Sequence, residues 1–165
     1  MKTIVISIRP ENVYGILLMK KTIEIRKTAP TKYPDVSTAY IYCTKTAPTL
    51  AIKNEKIVVF DNRYYSCYSN AEEVLNGKIV ASFKIKKITA LEINNTTDEI
   101  LKNACITRNE LKRYTWWESE EGYEGYYTWN ITDLKIFEHP KKLSNLGLTK
   151  PPQSWQYLED NKVIE

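Results

Sequence analysis

Hydrophobic residues recur along this chain with two different periods. In Thr3-Ile4-Val5-Ile6-Ser7-Ile8 the period is two, that of a strand. Beyond Arg9 the spacing changes. Pro10 and Glu11 suit a first helical turn, and Val13 and Leu17, with Tyr14 and Leu18 beside them, form an apolar stripe at helical spacing. Lys20 and Lys21 then fall in the last turn, where cations complement the helix dipole. The period returns to two in Thr22-Ile23-Glu24-Ile25-Arg26-Lys27, which sends Ile23 and Ile25 to one face and Thr22, Glu24 and Arg26 to the other. One surface thus carries a hydroxyl, a carboxylate and a guanidinium in a row.

Farther on, Pro30 and Pro34 mark a loop, and Thr38 to Thr44 reads as a buried strand. Lys56 to Asp61 is another strand. Asn62 to Asn76 is rich in tyrosine and fits no single period, with room for a short helical turn at Ala71 to Leu75. Asn76-Gly77 opens a long strand from Lys78 to Leu91. Thr97 to Cys105 and Thr107 to Tyr114 are helical, the second headed by the capping-box pair Thr107 and Glu110. Glu118 to Gly125 is an acidic loop. Tyr127 to Phe137 alternates again, with Trp129, Ile131 and, after a slip, Leu134 and Ile136 on the apolar side, and His139-Pro140 ends it. After the Pro151-Pro152 break, the tail finishes in an aromatic strand-like segment. Without repeat, linker or low-complexity stretch, residues 1–165 form one α+β domain, a mixed, mainly antiparallel barrel with flanking short helices.

Composition narrows the chemistry. The 165 residues include three cysteines without CxxC spacing and a single histidine, His139, which argues against a Cys/His zinc site, a disulfide framework and a histidine-based triad. No apolar run approaches the ~20 residues needed to span a membrane, and the start of the chain lacks the regions of a signal peptide. A cytoplasmic protein with reduced thiols, no metal and no cofactor is expected. The formal charge of +4 is unevenly distributed: residues 1–90 hold 15 Lys+Arg against 7 Asp+Glu, and residues 91–165 hold 9 against 13. The first half would attract a polyanion, although Lys84, Lys86 and Lys87 read as the solvated face of a strand. Twelve Tyr and four Trp beside three Phe give aromatic rings with polar handles, suited to half-wet surfaces or to strand packing.

The segment Lys21-Thr22-Ile23-Glu24-Ile25-Arg26, following a short helix after Ser7-Ile8-Arg9-Pro10, resembles the GxKxxExR signature of ASCH domains, with Met19 standing where that family has glycine. The resemblance continues through Tyr40-Ile41-Tyr42-Cys43-Thr44-Lys45, Asn76-Gly77-Lys78-Ile79-Val80, Tyr127-Thr128-Trp129-Asn130-Ile131 and Lys150-Pro151-Pro152-Gln153-Ser154-Trp155. It implies a PUA-like β-barrel and, beside the motif, a cleft for RNA, single-stranded nucleic acid or a nucleoside- or nucleotide-like partner. Some small members of the family are amidohydrolases that deacetylate N4-acetylcytidine, and ribonuclease activity is also associated with it. For those chemistries Lys21 and Glu24 would be the catalytic pair, but the deacetylases have threonine where this chain has Glu24. Thr22, on the face of Glu24, is the available stand-in.

Several readings of the motif stay open on the residues alone. Arg26 could grip a phosphate or carboxylate, and pairing with Glu24 two positions away is the expected state. Lys21 could contact phosphate, act as a desolvated general base or serve as a helix-end cation. Arg9, Tyr42, Thr44, Lys45, Trp129, Gln153, Ser154 and Trp155 are the candidates to complete the site. Trp129, on an apolar face, fits the core better than a stacking platform. Trp155 suits either a clamp on the cleft or a cap on the barrel. Trp116-Trp117 suits a helix end better than a stacking pair. Few clustered arginines and many aromatic rings favour unpaired bases over duplex.

Overall fold

The computed structural model describes residues 2–32, 35–60, 73–115 and 125–159. Strand β1 (Lys2–Ile8) alternates as expected, but both of its faces are buried, because Ile4, Ile6 and Ile8 pack into one cluster and Val5 into another on the opposite side of the sheet. Helix α1 (Pro10–Leu17) follows, and its stripe is Val13, Ile16 and Leu17, one position round from the expected one. Leu18 is left exposed. The helix also ends before Lys20 and Lys21, so neither sits in its last turn. Four strands alternate with turns before residue 61: β2 (Ile23–Arg26), the longer β3 (Val36–Cys43), and then the hairpin of β4 (Thr49–Lys53) and β5 (Lys56–Phe60). The sequence pattern had marked β5 and missed β4. Glu73–Val74 is a strand, β6, added to that hairpin, where a helical turn had been expected; the earlier part of that turn lies outside the described residues.

In the second half β7 (Ile79–Glu92) is followed by two helices. Thr97 caps α2 (Asp98–Ala104), and the full Thr107/Glu110 capping box starts α3 (Arg108–Tyr114). Strand β8 (Gly125–Lys141) runs on through His139 and Pro140, which had been read as its end. The β7–β8 ladder is interrupted between the pairs Ala81–Ile136 and Ile79–Lys141, so the proline falls where no backbone N–H is required. A second interruption produces the expected slip near Leu134, with Asp133 in the left-handed region at φ 48°. Strand β9 (Trp155–Tyr157) closes the chain.

Among the described residues, six strands form one sheet in the order β2-β8-β7-β3-β1-β9, and β5-β4-β6 form a second. Only the β1–β3 pair in the large sheet is parallel, an arrangement that needs the crossover supplied by α1 and β2. The main core is built from Ile4, Ile6, Ile8, Ile41, Phe83 and Trp129 with α1 packed beside them. On the other side of the sheet, α2 and α3 bury Ile23 and Ile25 against Ile93, Ala104, Leu111 and Tyr126. The turn at Leu143–Leu146 and Leu158 cover Val5, Tyr40 and Tyr42. Among the described residues no helix is long and apolar enough to cross a membrane.

The two edge strands, β2 and β9, share no backbone ladder, yet side chains join them. Arg26 donates from Nη2 to Ser7 O at 2.7 Å and from Nη1 to Ser154 Oγ at 3.3 Å. Trp155 Nε1 donates to Thr28 Oγ1 at 3.0 Å, and its ring meets Trp129 with centroids 6.1 Å apart. The curled sheet is therefore closed at one seam by a guanidinium and an indole.

Candidate functional site

A cleft of about 740 Å³ opens beside this seam, within the range of small-molecule sites. Its floor is built from β2 and the turn before it. The backbone of that turn is bent at Met19, which has φ 56°. A left-handed residue is what a glycine would supply without steric cost. Beyond the bend the Lys21 side chain passes directly over Gly15, where an added Cβ would lie 3.3 Å from Lys21 Cβ. Lys21 is thereby carried inward, and its Nζ donates to Ala104 O at the carbonyl end of α2. It is not a solvated helix-end cation.

Glu24 sits between the two cations. Its Oε1 is 3.0 Å from Arg26 Nη2 and its Oε2 is 3.5 Å from Lys21 Nζ. Lys21, Glu24 and Arg26 are 5%, 5% and 7% exposed. Glu24 Oε2 and Arg26 Nε are closed off from solvent and have no hydrogen-bond partner among the described residues. The expected Arg26–Glu24 pair is thus present, and it is part of a three-member buried network.

Arg9, Thr44, Gln153 and Ser154 join the triad in lining the cleft. The remaining candidates lie elsewhere. Thr22 is exposed and outside the cleft, so its hydroxyl cannot stand in for the missing threonine. Tyr42 points to the opposite side of the sheet, where it is buried with Val5 and Leu146, because the inward positions of β3 are Ala39, Ile41 and Cys43. Burial raises its hydroxyl pKa above the usual 10.0, an effect that nearby Cys43 reinforces. Lys45 is exposed, and its chain lies over Gly77, whose φ of 82° favours glycine there. Trp129 is fully buried core. Trp155 is half-buried and spent on the seam. Trp116 and Trp117 lie outside the described residues.

The wall opposite the seam was not anticipated. It comes from α2 and α3 through Cys105, Ile106, Glu110 and Tyr114, and Lys27 and Thr28 extend the motif strand along the rim. Lys27 Nζ lies 5.5 Å from the centroid of the Tyr114 ring. Burial raises the Tyr114 hydroxyl pKa above 10.0; Arg26 opposes and Glu24 adds to the shift, so this hydroxyl lies in the field of the floor. Glu110 is held below the usual 4.5 by its hydrogen bonds from Thr107.

The solved structures give this architecture a name. At a TM-score of 0.65 the chain matches the crystal structure of ASCH from Zymomonas mobilis, with 19% identity over 98% of this chain and 90% of that one. The fold of this chain is the ASCH fold. A serine-to-alanine mutant of the Zymomonas protein matches with the same score over 91% of its length, and a tyrosine-to-phenylalanine mutant matches with a TM-score of 0.66 over 94%. No protein-family model and no curated protein sequence matches. The ASCH fold and the mixed, mainly antiparallel α+β architecture expected from the motif blocks are thus present, with the GxKxxExR-like segment at the floor of the cleft.

Proposed function

We propose that this protein is a binding module that holds single-stranded RNA, or a nucleotide-like fragment of it, in the ASCH-fold cleft. The observation that carries the reading is the buried Lys21–Glu24–Arg26 network at the base of an open cleft of about 740 Å³. Buried charges are costly to keep, and this group occupies the concavity a ligand would enter. Around it the rim supplies what a nucleotide needs: Arg9 and Lys27 as exposed cations, Thr28, Thr44 and Ser154 as hydroxyls, and the Tyr114 ring as a flat apolar surface. Aromatic stacking contributes about 1–3 kcal/mol per base. The cleft is sized for a nucleotide or two and is lined by isolated cations, which suits an unpaired strand.

The hydrolytic reading loses the hydroxyl that was to stand in for the missing threonine, because Thr22 lies outside the cleft. Ser7 Oγ, which lines it, is committed to Pro152 O at 2.7 Å.

Fluorescence anisotropy with a labelled single-stranded oligoribonucleotide tests the reading. Affinity is expected to fall with salt, with a log–log slope of about −1.4 for two phosphate contacts, and to fall further in Arg9→Ala and Lys27→Ala. Binding indifferent to salt and to both substitutions, or no binding at low salt, would overturn it. Release of cytidine from N4-acetylcytidine by the pure protein would replace it with the hydrolytic reading.

A further inference from the structure

We infer that the floor of the cleft is an anion site operated by Lys21, so that the ligand enters phosphate-first and is a nucleoside phosphomonoester or the phosphorylated end of an RNA. This rests on the nucleotide-binding reading and says which part of the nucleotide reaches the bottom. The charge balance argues for it. Two cations face a single carboxylate, all three more than nine-tenths buried. Among the described residues, the other acids lining the cleft do not supply the missing charge. Glu11 is exposed and paired with Arg9 at 3.3 Å, and Glu110 is exposed and tied to Thr107. Among the described residues the floor therefore retains one positive charge in a setting where charges are normally paired.

Donor accounting assigns that charge to Lys21. Of the five N–H donors of Arg26, three are engaged within the protein, with Ser154 Oγ, Ser7 O and Glu24 Oε1, the Nε one is enclosed, and one remains on Nη1. Arg26 is chiefly a positioning residue: Nη2 is fully engaged and Nη1 is tied to Ser154, so its paired fork is spent on the seam and Lys21 is the cation with no part in it. Lys21 donates to Ala104 O and faces Glu24 Oε2, and an ammonium has three N–H donors. One is left for the cleft.

Its neighbours are donors as well. Ser154 Oγ accepts from Arg26 and Thr28 Oγ1 accepts from Trp155, which leaves both hydroxyl protons to be given. Glu24 directs both oxygens at its own cations, and Oε2 is sealed from solvent. A group arriving here meets donors and a net positive charge, the complement of a phosphate with its acceptor oxygens. The base is then left at the rim, beside Tyr114 and Lys27.

Isothermal titration of the whole protein with cytidine, cytidine 5′- and 3′-monophosphates and inorganic phosphate tests the inference. Two hexauridylates, with and without a 5′-phosphate, separate a free nucleotide from an RNA end. At least one monophosphate, or the phosphorylated oligomer, is expected to bind at least about tenfold tighter than its unphosphorylated counterpart, the factor that one charge-assisted hydrogen bond supplies. In Lys21→Met the advantage should vanish while the weaker binding of the unphosphorylated form remains. Lys84→Met, on the far side of the sheet, should change neither.

Equal affinities for phosphorylated and unphosphorylated forms in the unmodified protein overturn the inference even if Lys21→Met fails to fold. A folded Lys21→Met that keeps the phosphate preference also overturns it. In both cases the RNA-binding reading survives. Lys21-dependent binding of inorganic phosphate, with no gain from an attached nucleoside or RNA, supports the anion site and counts against the nucleotide reading.

Discussion

The two faces of β2 are buried to the same extent and do opposite work. Ile23 and Ile25 are 6% and 5% exposed against α2 and α3, and Glu24 and Arg26 are 5% and 7% exposed toward the cleft. On the apolar face each side chain contributes about 1.5–3 kcal/mol by leaving water, and neighbours can adjust to a smaller replacement. On the ionic face the attraction between charges is largely offset by their desolvation, so stability there depends on every partner staying in place. One strand thus shows that equal burial does not mean equal purpose: one face secures the helices, and the other holds charges at a ligand's entrance.

Substitutions on the two faces should fail differently. The largest effect is expected from Glu24→Ala, which leaves Lys21 and Arg26 buried without a counter-charge and should cost about 4 kcal/mol in urea unfolding. The combined change of Lys21→Met, Glu24→Leu and Arg26→Met should cost clearly less than Glu24→Ala alone while abolishing ligand binding. A combined variant less stable than the single one would mean the ionic face is structural cement. Ile23→Ala, on the apolar face and away from the cleft lining, should lose about 3 kcal/mol and keep the phosphate preference under conditions where it is folded.

Smaller effects lie at the edges of the site. Met19→Gly removes a side chain from a left-handed position where it is 73% exposed, and should raise stability by about 1 kcal/mol. Equal or lower stability in thermal denaturation would show that the methionine makes a compensating contact. The smallest effect concerns Glu110. Its carboxyl pKa is lowered in the folded protein, first by the Thr107 side chain and then by the Thr107 backbone. The unfolded chain therefore takes up the proton first, and the contribution is complete above about pH 4.5 and lost as pH falls through the lowered value. Glu110→Gln should make melting slightly less sensitive to pH between neutral and acid conditions. An unchanged acid dependence would mean that the capping box carries none of it.

Much of the fold was legible because period and caps are local. The strands at Thr3 and Thr38, the Thr107 box and the slip near Leu134 all announce themselves within a few residues. Errors arose where a neighbour decided. Pro140 continues a strand because the ladder breaks beside it, and β6 is a strand because β4 lies alongside. In the site, alternation placed Glu24 and Arg26 together correctly. The same rule applied to β3 would have turned Tyr42 away from the core side occupied by Ile41. Cys105, Ile106 and Tyr114 gave no signal, since only the packing of α2 and α3 over β2 brings them to the cleft. The role of Arg26 was also invisible, because Ser7 and Ser154 reach it from opposite ends of the chain.

The most direct test is a two-dimensional NMR titration of the full chain with cytidine 5′-monophosphate, following backbone amides and the Lys21 ammonium. The account predicts shifts gathered at the cleft, at Arg9, Lys21, Lys27, Thr28, Tyr114 and Ser154, with the Lys21 signal moving most and not moving with cytidine. A second concavity, of about 660 Å³, lies on another part of the sheet beside Thr38, Lys84, Lys135 and Lys141. Shifts gathered there, or a Lys21 signal that ignores the phosphate, would contradict the claim that the ionic face of β2 is the ligand's floor.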